Sequence, residues 1–284
     1  MGLGSDAGSK GRRPLNKKIP FVVQPQTRPQ IMGIVNITPD SFSDGGEFFS
    51  PDAALRHIED LNRDGADIID IGAESTRPGA ESIDTAEECR RLEPVLRHYK
   101  DVSNLPLSVD TSKSEVAHMA IGYGATIIND IAAGRDPQML ATVAKSSAAY
   151  VVMHMQGEPR QMQSAPVYSD VLSDVMAFLQ IRRDAAYAAG IESVILDPGI
   201  GFGKTLEHNL VLLRGLSEII ALGPVLLGTS RKSFIGHIHG DMTVSREEGT
   251  LVSNMMGAMA GVSILRVHDV ASMRRALAVY HRLR

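Results

Sequence analysis

Carboxylate side chains end two of the short apolar runs in this sequence. Asp110 closes the run LPLSVD (105–110), and Asp197 closes the run SVILD (193–197). If both runs are buried strands, each carboxylate faces the open end of a sheet, where a charge is costly unless it meets donors. A planar heterocycle with two parallel N–H donors would satisfy such a carboxylate. The alternative is that each aspartate caps the following helix, although Pro198 weakens this slightly for Asp197.

Basic side chains form a second group, suited to binding an anion. Arg266 and His268 are two residues apart, so on an extended segment both point the same way and offer donors to a multi-oxygen anion. Lys232 and Ser233 lie where a short helix is expected to begin, a place that can hold a carboxylate or phosphate. Arg231 beside them is expected to be a solvated surface residue.

Two polar stretches with glycines follow the first two apolar runs, NITPDSFSDGG (36–46) and STRPG (75–79). Their glycines permit backbone conformations that other residues resist, and we expect both stretches to form mobile loops. The loop residues that we single out are Asp40, Ser43, Asp44, Gly45, Ser75 and Gly79. Arg77 would bring a further cation, and Asn36 offers an oxygen ligand to a hard cation such as Mg²⁺.

No zinc-type cluster of His and Cys is present in the sequence, so a transition metal is not expected. No nucleophile elbow or Rossmann fingerprint occurs either. The stretch GIGFGKT fails the phosphate-loop pattern because only three residues separate Gly199 from Gly203.

The elements that must position these residues are eight short apolar runs, separated by longer segments with helical periodicity. This alternation predicts a single-domain (β/α)8 TIM barrel over residues 31–284, with an open doubly wound sheet as the alternative. The eight predicted strands are 31–35, 67–71, 105–110, 125–130, 148–154, 193–197, 223–228 and 262–267.

Composition narrows the class of partner to a small molecule. The formal charge of -4, the absence of Trp and an aromatic content of 5% argue against nucleic-acid binding.

Residues 1–30 are rich in Gly, Ser, Pro and basic side chains, and we predict a disordered arm, with a basic targeting peptide as the alternative. Its apolar cluster, 19–23, is too short for a signal peptide or a membrane span. The single cysteine, Cys89, favours a reducing, cytoplasmic compartment.

Taken in order, the segments of this chain closely resemble the dihydropteroate synthase family of pterin-binding TIM barrels, from about residue 31 to the C-terminus. Ala73 stands where a glycine of the family is expected. The resemblance rests on IMGIVNITPDSFSDGG, DIGAESTRPGA, SVDTSK, IIND, VVMHMQGEP, ILDPGIGFGKT, GTSRKSFIG and RVHDV.

The resemblance implies condensation of 6-hydroxymethyl-7,8-dihydropterin diphosphate with p-aminobenzoate, giving 7,8-dihydropteroate and diphosphate. It also implies Mg²⁺ as cofactor, sulfonamides as competitors at Phe42, Thr76, Pro78 and Ser233, and a homodimer formed through helices near the C-terminus. Loss of diphosphate would leave a cation on the pterin methylene that a neutral arylamine can attack, so we expect no dedicated general base.

The resemblance also carries over residue roles. It implies a pterin site of Asp110, Asn129, Asp197 and Lys232, with Met153 packing on the ring. The diphosphate would be bound by Asn36, also the Mg²⁺ ligand, together with Arg77, Arg266 and His268. The p-aminobenzoate pocket would be formed by Phe42, Thr76, Pro78, Phe202 and Ser233. The catalytic set would be Asp110, Asp197, Lys232, Arg266 and His268.

Two other functions remain open at the level of sequence. One is a pterin-binding methyltransferase of the corrinoid type, which would not need the diphosphate site that Arg266, His268 and STRPG indicate. The other is a non-catalytic pterin-binding paralogue, which would be expected to have lost the loop motifs that are intact here.

Overall fold

The computed structural model of the chain describes residues 28–38, 50–75, 80–158, 162 and 166–283. Eight strands lie at the positions of the eight predicted apolar runs. They are β1 (Gln30–Asn36), β2 (Ile68–Gly72), β3 (Leu107–Asp110), β4 (Ile127–Asp130), β5 (Ala149–Met153), β6 (Val194–Asp197), β7 (Leu226–Leu227) and β8 (Ile264–Val267).

Helices follow the strands in the order expected of repeated βα units, with additional short helices late in the chain. They are α1 (Pro51–Arg63), α2 (Thr85–Val102), α3 (Ser114–Gly122), α4 (Met139–Ala144), α5 (Val171–Ala188), α6 (Leu206–Arg214), α7 (Leu216–Ile220), α8 (Ser233–His239), α9 (Glu247–Ala260) and α10 (Val270–Leu283).

All the strands are parallel and form one sheet in the order β6-β5-β4-β3-β2-β1-β8-β7. A parallel bridge between Leu196 and Val225 joins the two end strands, so the sheet closes on itself. The amide of Leu196 also donates to the carbonyl of Pro224 at 2.8 Å. The predicted (β/α)8 barrel is therefore confirmed, and the open doubly wound sheet is wrong.

The first helix illustrates how local sequence sets the outer layer. Ser50 caps α1 by accepting from the Ala53 amide, and Pro51 takes the first helical position, where its missing N–H costs nothing. Ala54, Ile58 and Leu61 then fall on one face at helical spacing and are buried against the barrel.

The interior of the barrel has an apolar floor below a polar layer. Alternation along each strand places Ile68 in this floor and Asp70, two residues later, in the layer above it. The floor consists of Met32, Ile68, Ile127, Ala149, Val151, Ile195, Leu226 and Ile264. Polar side chains thus begin inside the barrel, one layer below the strand ends.

The N-terminal boundary differs slightly from the prediction. Gln30 already belongs to β1, and the guanidinium of Arg28 makes two bonds to the Asp67 carboxylate, at 2.8 and 2.9 Å. Residues 28–30 are therefore part of the barrel and not of a disordered arm. The rest of that predicted arm, 1–27, lies outside the described residues. None of the helices in the described ranges is long and apolar enough to cross a membrane.

Candidate active site

A network of carboxylates around one guanidinium fills the upper part of the barrel. The Nε of Arg266 on β8 donates to Asp70 on β2 at 2.6 Å, and its Nη2 donates to Asp110 at the end of β3 at 2.9 Å. Asn129 on β4 donates to the same oxygen of Asp70 at 3.3 Å. Arg266 and Asp70 lie on β8 and β2, the two strands that flank β1, so residues nearly 200 positions apart in the sequence share one network.

Burial governs the charge state of Asp110. Desolvation raises the pKa of Asp110 to about 7, the Arg266 guanidinium opposes this shift, and the nearby Asp70 and Glu88 carboxylates add to it. Burial thus favours the protonated form of Asp110, whereas the Arg266 guanidinium favours the ionised form. A ligand that donates N–H groups to this residue would favour the ionised form.

Asp197 lies across the barrel mouth at the end of β6 and is 7% exposed. Its Oδ1 accepts a hydrogen bond from the Gly199 amide at 2.7 Å, which orients the side chain. Desolvation raises the pKa of Asp197, while this hydrogen bond and the charge of Lys232 act in the opposite direction.

The capping alternative for these two aspartates is wrong. The residue at the N-cap of α3 is Lys113, which makes no side-chain capping bond, and α6 is capped by Thr205 through a capping box with His208. Asp110 and Asp197 point instead at the barrel mouth and its donors.

Lys232 immediately precedes α8 and extends its side chain over an aromatic ring. Its Nζ lies 3.8 Å from the centroid of Phe202, a cation–π contact. Burial lowers the pKa of Lys232 to about 8, although Asp197 favours its charged form. Ser233, the first residue of α8, is exposed. Arg231 is also exposed and pairs with Glu247 at 2.6 Å, so the prediction that it is a surface residue is confirmed.

One wall of the mouth is apolar and rich in methionine. Met153 packs with Met155, Met162 and Phe202 in a small buried cluster, with Ile131 against it. Thioether groups make favourable contacts with aromatic rings, so this wall suits the face of a flat heterocycle.

His268 lies beside the loop that follows β7. Its Nδ1 is 2.9 Å from the Ser230 hydroxyl, and its backbone amide donates to the same oxygen at 3.2 Å. Arg266, two residues earlier, is directed to Asp70 and Asp110, and these bonds use only two of its N–H donors. Arg266 and His268 were expected to donate together to one anion. Since two donors of Arg266 bond to carboxylates, the rest of its N–H groups would have to serve this purpose.

A cavity of about 210 Å³ opens beside Asp110 at the barrel mouth. Ser75, from the second predicted loop, is half-buried and lines this cavity. Its other walls include Glu74, Ile131, Arg135 and Met155. The cavity is therefore continuous with both the carboxylates and the methionine wall.

Nine of the predicted site residues lie outside the described part of the chain. No contact is assigned to them, so their roles stay predictions. They are Asp40, Phe42, Ser43, Asp44, Gly45, Thr76, Arg77, Pro78 and Gly79.

Three buried polar groups near the mouth were not predicted from the sequence. Asp70 lies inside the apolar run DIIDI, where strand alternation alone would have placed it on the inner face with Ile68. Lys204 is 3% exposed in the loop after β6. Glu88 is fully buried on α2 and accepts from Lys113 at 2.5 Å. Sequence carries no clear signal for the last two, because their burial depends on tertiary packing.

The donor set suits Mg²⁺ only together with a substrate. In the described ranges, no three His, Cys, Asp or Glu side chains group closely enough to hold a metal ion. Asn36 ends β1 beside Gly72 and offers a single oxygen ligand. Mg²⁺ commonly takes one or two protein ligands and completes its shell with water and substrate phosphates, so the residues present fit this mode.

Comparison with known proteins gives a consistent result. The model of a family described as pterin binding enzyme matches residues 32–268. The dihydropteroate synthase of Haemophilus influenzae is 46% identical over 255 residues, which cover 89% of this chain and 93% of the relative.

Solved structures agree with the sequence comparison. The Xanthomonas albilineans dihydropteroate synthase with 4-aminobenzoic acid has a TM-score of 0.84 and 44% identity, covering 90% of this chain and 93% of that one. The Yersinia pestis dihydropteroate synthase in a sulfonamide drug complex has a TM-score of 0.85 and 42% identity, covering 90% and 94%.

Proposed function

The chain belongs to the family of pterin-binding enzymes that includes the dihydropteroate synthases, and we propose that it joins 6-hydroxymethyl-7,8-dihydropterin diphosphate to p-aminobenzoate. The products are 7,8-dihydropteroate and diphosphate. The enzyme is thus a transferase of folate biosynthesis, in which a C–N bond forms and a C–O bond to diphosphate breaks.

One observation supports the proposal most strongly: two carboxylates, Asp110 and Asp197, end strands at the barrel mouth, where Arg266 bonds to Asp110 and the charge of Lys232 acts on Asp197. The amino-pyrimidine edge of a pterin presents the paired N–H donors that such carboxylates need. Asp70 Oδ1 and Ser108 Oγ are buried without a hydrogen-bond partner among the described residues, which supports a polar ligand at this level of the barrel. In this proposal Asp110, Asn129, Asp197 and Lys232 bind the pterin, and Met153 packs on its ring.

The electrostatics support departure of the diphosphate before the amine attacks. When the C–O bond breaks, the electron pair leaves with the diphosphate and the pterin methylene becomes cationic. Asp110 and Asp197 would stabilise this delocalised cation from fixed positions. The neutral amine of p-aminobenzoate then forms the C–N bond and loses its proton to solvent, so no dedicated base is required.

The departing diphosphate would be held by Asn36, Arg77, His268 and the N–H groups of Arg266 that its two carboxylates do not use. Asn36 would also ligate Mg²⁺ together with substrate oxygens. When bound, this ion neutralises charge that develops on the leaving group. His268, held against Ser230, contributes a further donor from the end of β8.

We assign the p-aminobenzoate pocket to Phe202 and Ser233, with Phe42, Thr76 and Pro78 from the two loops. Phe202 is 8% exposed, and its ring carries Lys232 on one face. A sulfonamide has the shape of p-aminobenzoate and would compete in this pocket.

A homodimer is the proposed assembly. The outer face of α9 exposes Val252, Met256 and Met259, which are spaced at helical intervals and are 62%, 47% and 68% exposed. Such a stripe supports association between two copies through the helices near the C-terminus. Met256→Lys should convert a dimer to a monomer in analytical ultracentrifugation, whereas an unchanged sedimentation coefficient would contradict this interface.

The two rival functions are not favoured. A corrinoid methyltransferase would show the absorption spectrum of a bound corrinoid, and a non-catalytic paralogue would bind pterin without turnover. The proposed cytoplasmic location follows from the use of a single cysteine, Cys89, which is half-buried on α2.

The decisive experiment is one assay of diphosphate release from the pterin substrate. Release should require both p-aminobenzoate and Mg²⁺, with 7,8-dihydropteroate formed in equal amount. Release without dihydropteroate, or no release with both present, would overturn the proposed function.

A further inference from the structure

Lys204 is a buried lysine in the loop that follows β6, where burial lowers its pKa to about 7 although the Asp197 carboxylate favours its charged form. It is 3% exposed, and its Nζ lies 2.9 Å from the carbonyl oxygens of both Gly199 and Phe202. The carbonyl of His154 lies at 3.2 Å and the Nδ1 of the same residue at 2.9 Å. Lys204 therefore bonds to two carbonyls within the loop after β6 and to His154, the residue that follows β5.

These two segments approach each other unusually closely. Gly199 and Gly203 have φ values of +65° and +60°, a region that favours glycine. A Cβ at Gly199 would lie 1.9 Å from the His154 carbonyl oxygen, and a Cβ at Gly203 would lie 2.3 Å from that of Gln156. Carbonyl oxygens thus converge at this crossing, and Lys204 donates to those of His154, Gly199 and Phe202.

His154 stabilises the contact between these two segments through both its ring and its carbonyl. Its ring packs edge-on against Phe178, with centroids 4.9 Å apart. Burial lowers the pKa of His154 to about 3, so the imidazole is neutral and its Nδ1 accepts from Lys204. The Tyr168 hydroxyl donates to the Gly203 carbonyl at 2.7 Å and fixes the far end of the loop.

We propose that Lys204 is a positioning residue that sets Phe202 for the arylamine substrate. The inference rests on the proposed function, because it assigns the effect of Lys204 to the p-aminobenzoate side of that site. Lys204 holds the Phe202 carbonyl, and the Phe202 ring in turn lies against the Lys232 Nζ. The position of the Phe202 ring thereby depends on a buried lysine that lies behind it in the loop.

Replacing Lys204 should weaken the binding of p-aminobenzoate more than the binding of the pterin. Asp197, on the pterin side, is also held by its strand register with Met153 and by the Gly199 amide. Among the described residues, the Phe202 backbone makes two hydrogen bonds, one from Lys204 to its carbonyl and one of 3.1 Å from its amide to the Gly199 carbonyl. Loss of the ammonium should therefore displace Phe202 more than Asp197.

The test is Lys204→Met, which keeps the buried stem and removes the charge. We expect the KM for p-aminobenzoate to rise about tenfold, because the displaced Phe202 ring no longer fits this substrate. The dissociation constant of a fluorescent probe, 6-hydroxymethylpterin, should rise less than about threefold. Lys145→Met, at an exposed site after α4, is the matched control and should leave both constants unchanged.

A second variant perturbs the crossing while keeping the cation. Gly203→Ala forces the loop away from Gln156 and should give the same split between the two substrates. Gly122→Ala, at a helical glycine with open space around it, is its control. If Lys204→Met does not fold, Gly203→Ala decides the question by the same criterion.

Equal loss of pterin and p-aminobenzoate affinity, or no change in either, would overturn the role of Lys204. Both outcomes are read against a wild-type enzyme that forms dihydropteroate. A wild-type protein that forms none would overturn the proposed function itself, so the two failures are distinguishable.

Discussion

The Nε of Arg266 donates to the Oδ2 of Asp70 at 2.6 Å, inside the barrel and below the strand ends. Asp70 is fully buried, and the second bond from Arg266, to Asp110, fixes the plane of the guanidinium. Arg266 is therefore oriented before any ligand binds, and its charge limits the repulsion between two close carboxylates.

Replacing Asp70 by Asn should destabilise the protein, because it leaves Arg266 with a single buried charge partner. Breaking one side of a buried ion pair typically costs about 3–5 kcal/mol, so we expect the free energy of unfolding to fall by about 3 kcal/mol in urea denaturation. Asp60→Asn, in an exposed ion pair with Arg63, is the control and should have little effect. Equal stability of the two variants would contradict a structural role for Asp70.

Lys232→Ala should reduce pterin diphosphate binding or turnover by more than about tenfold, because one charged hydrogen bond contributes roughly 1.5–3 kcal/mol. Steady-state kinetics with saturating p-aminobenzoate measure the change. Lys145→Ala provides the matched control on the surface. Kinetics indistinguishable from wild type would remove Lys232 from the site.

Pterin affinity should depend on pH through Asp110 and Lys232. Burial raises the pKa of Asp110 to about 7, so below this pH the free protein must lose a proton before the carboxylate can accept the pterin N–H groups. Affinity should then fall about tenfold for each pH unit on the acid side. Burial lowers the pKa of Lys232 to about 8, so affinity should also fall above pH 8, where the ammonium is lost.

Fluorescence titration with 6-hydroxymethylpterin across pH 5.5 to 9.5 checks this expectation, with a maximum between about 7 and 8. Asp110→Asn should make the acid limb shallower, because Asp197, whose pKa is also raised by burial, still contributes to it, and should leave the alkaline limb in place. A wild-type affinity that does not change with pH would show that neither group titrates in binding.

Removal of Mg²⁺ by a chelator should abolish diphosphate release, and added Mg²⁺ should restore it. Asn36→Ala should raise the Mg²⁺ concentration needed for half-maximal turnover by about tenfold, the effect of losing one oxygen ligand. Binding of 6-hydroxymethylpterin, which lacks the diphosphate, should be unchanged. An unaltered Mg²⁺ requirement in this variant would exclude Asn36 as a ligand.

Ionisation before amine attack should be visible as positional isotope exchange. With ¹⁸O in the bridging position of the pterin diphosphate, Mg²⁺ present and p-aminobenzoate absent, label should migrate to non-bridging oxygens. The position of the label is read by ³¹P NMR. If no label migrates in an enzyme that turns over once p-aminobenzoate is added, ionisation before attack is contradicted.

The fold could be predicted largely from the sequence because the buried parallel strands are short, mostly apolar and followed by helical periodicity. All eight strands lie within or beside the predicted runs. The main difference is β7, which has two residues where six were expected, because Pro224 and the two flanking glycines limit ladder formation. The boundary at Gln30 was missed because Arg28 is held by a distant residue, Asp67.

The site was only partly predictable. Asp110, Asp197 and Arg266 end strands or lie on them, so topology brings them together at the mouth. The pairing of Arg266 with Asp70 depends on β8 and β2 lying on either side of β1, and sequence spacing does not encode that directly. Lys204 was missed because a lysine after a glycine-rich stretch is typical of an exposed loop, and its burial arises from the close approach of this loop to His154.

The shortness of β7 has a consequence for motion. Asp197 ends β6, and Lys232 lies in the loop that follows β7. These two strands are joined by a single β-bridge, between Leu196 and Val225. Backbone amides along this seam should exchange with deuterium faster than those between β1 and β2, where five residue pairs are in register. A pterin that bonds to both Asp197 and Lys232 would connect β6 to the loop after β7. It would therefore stabilise the contact between these two strands and slow that exchange.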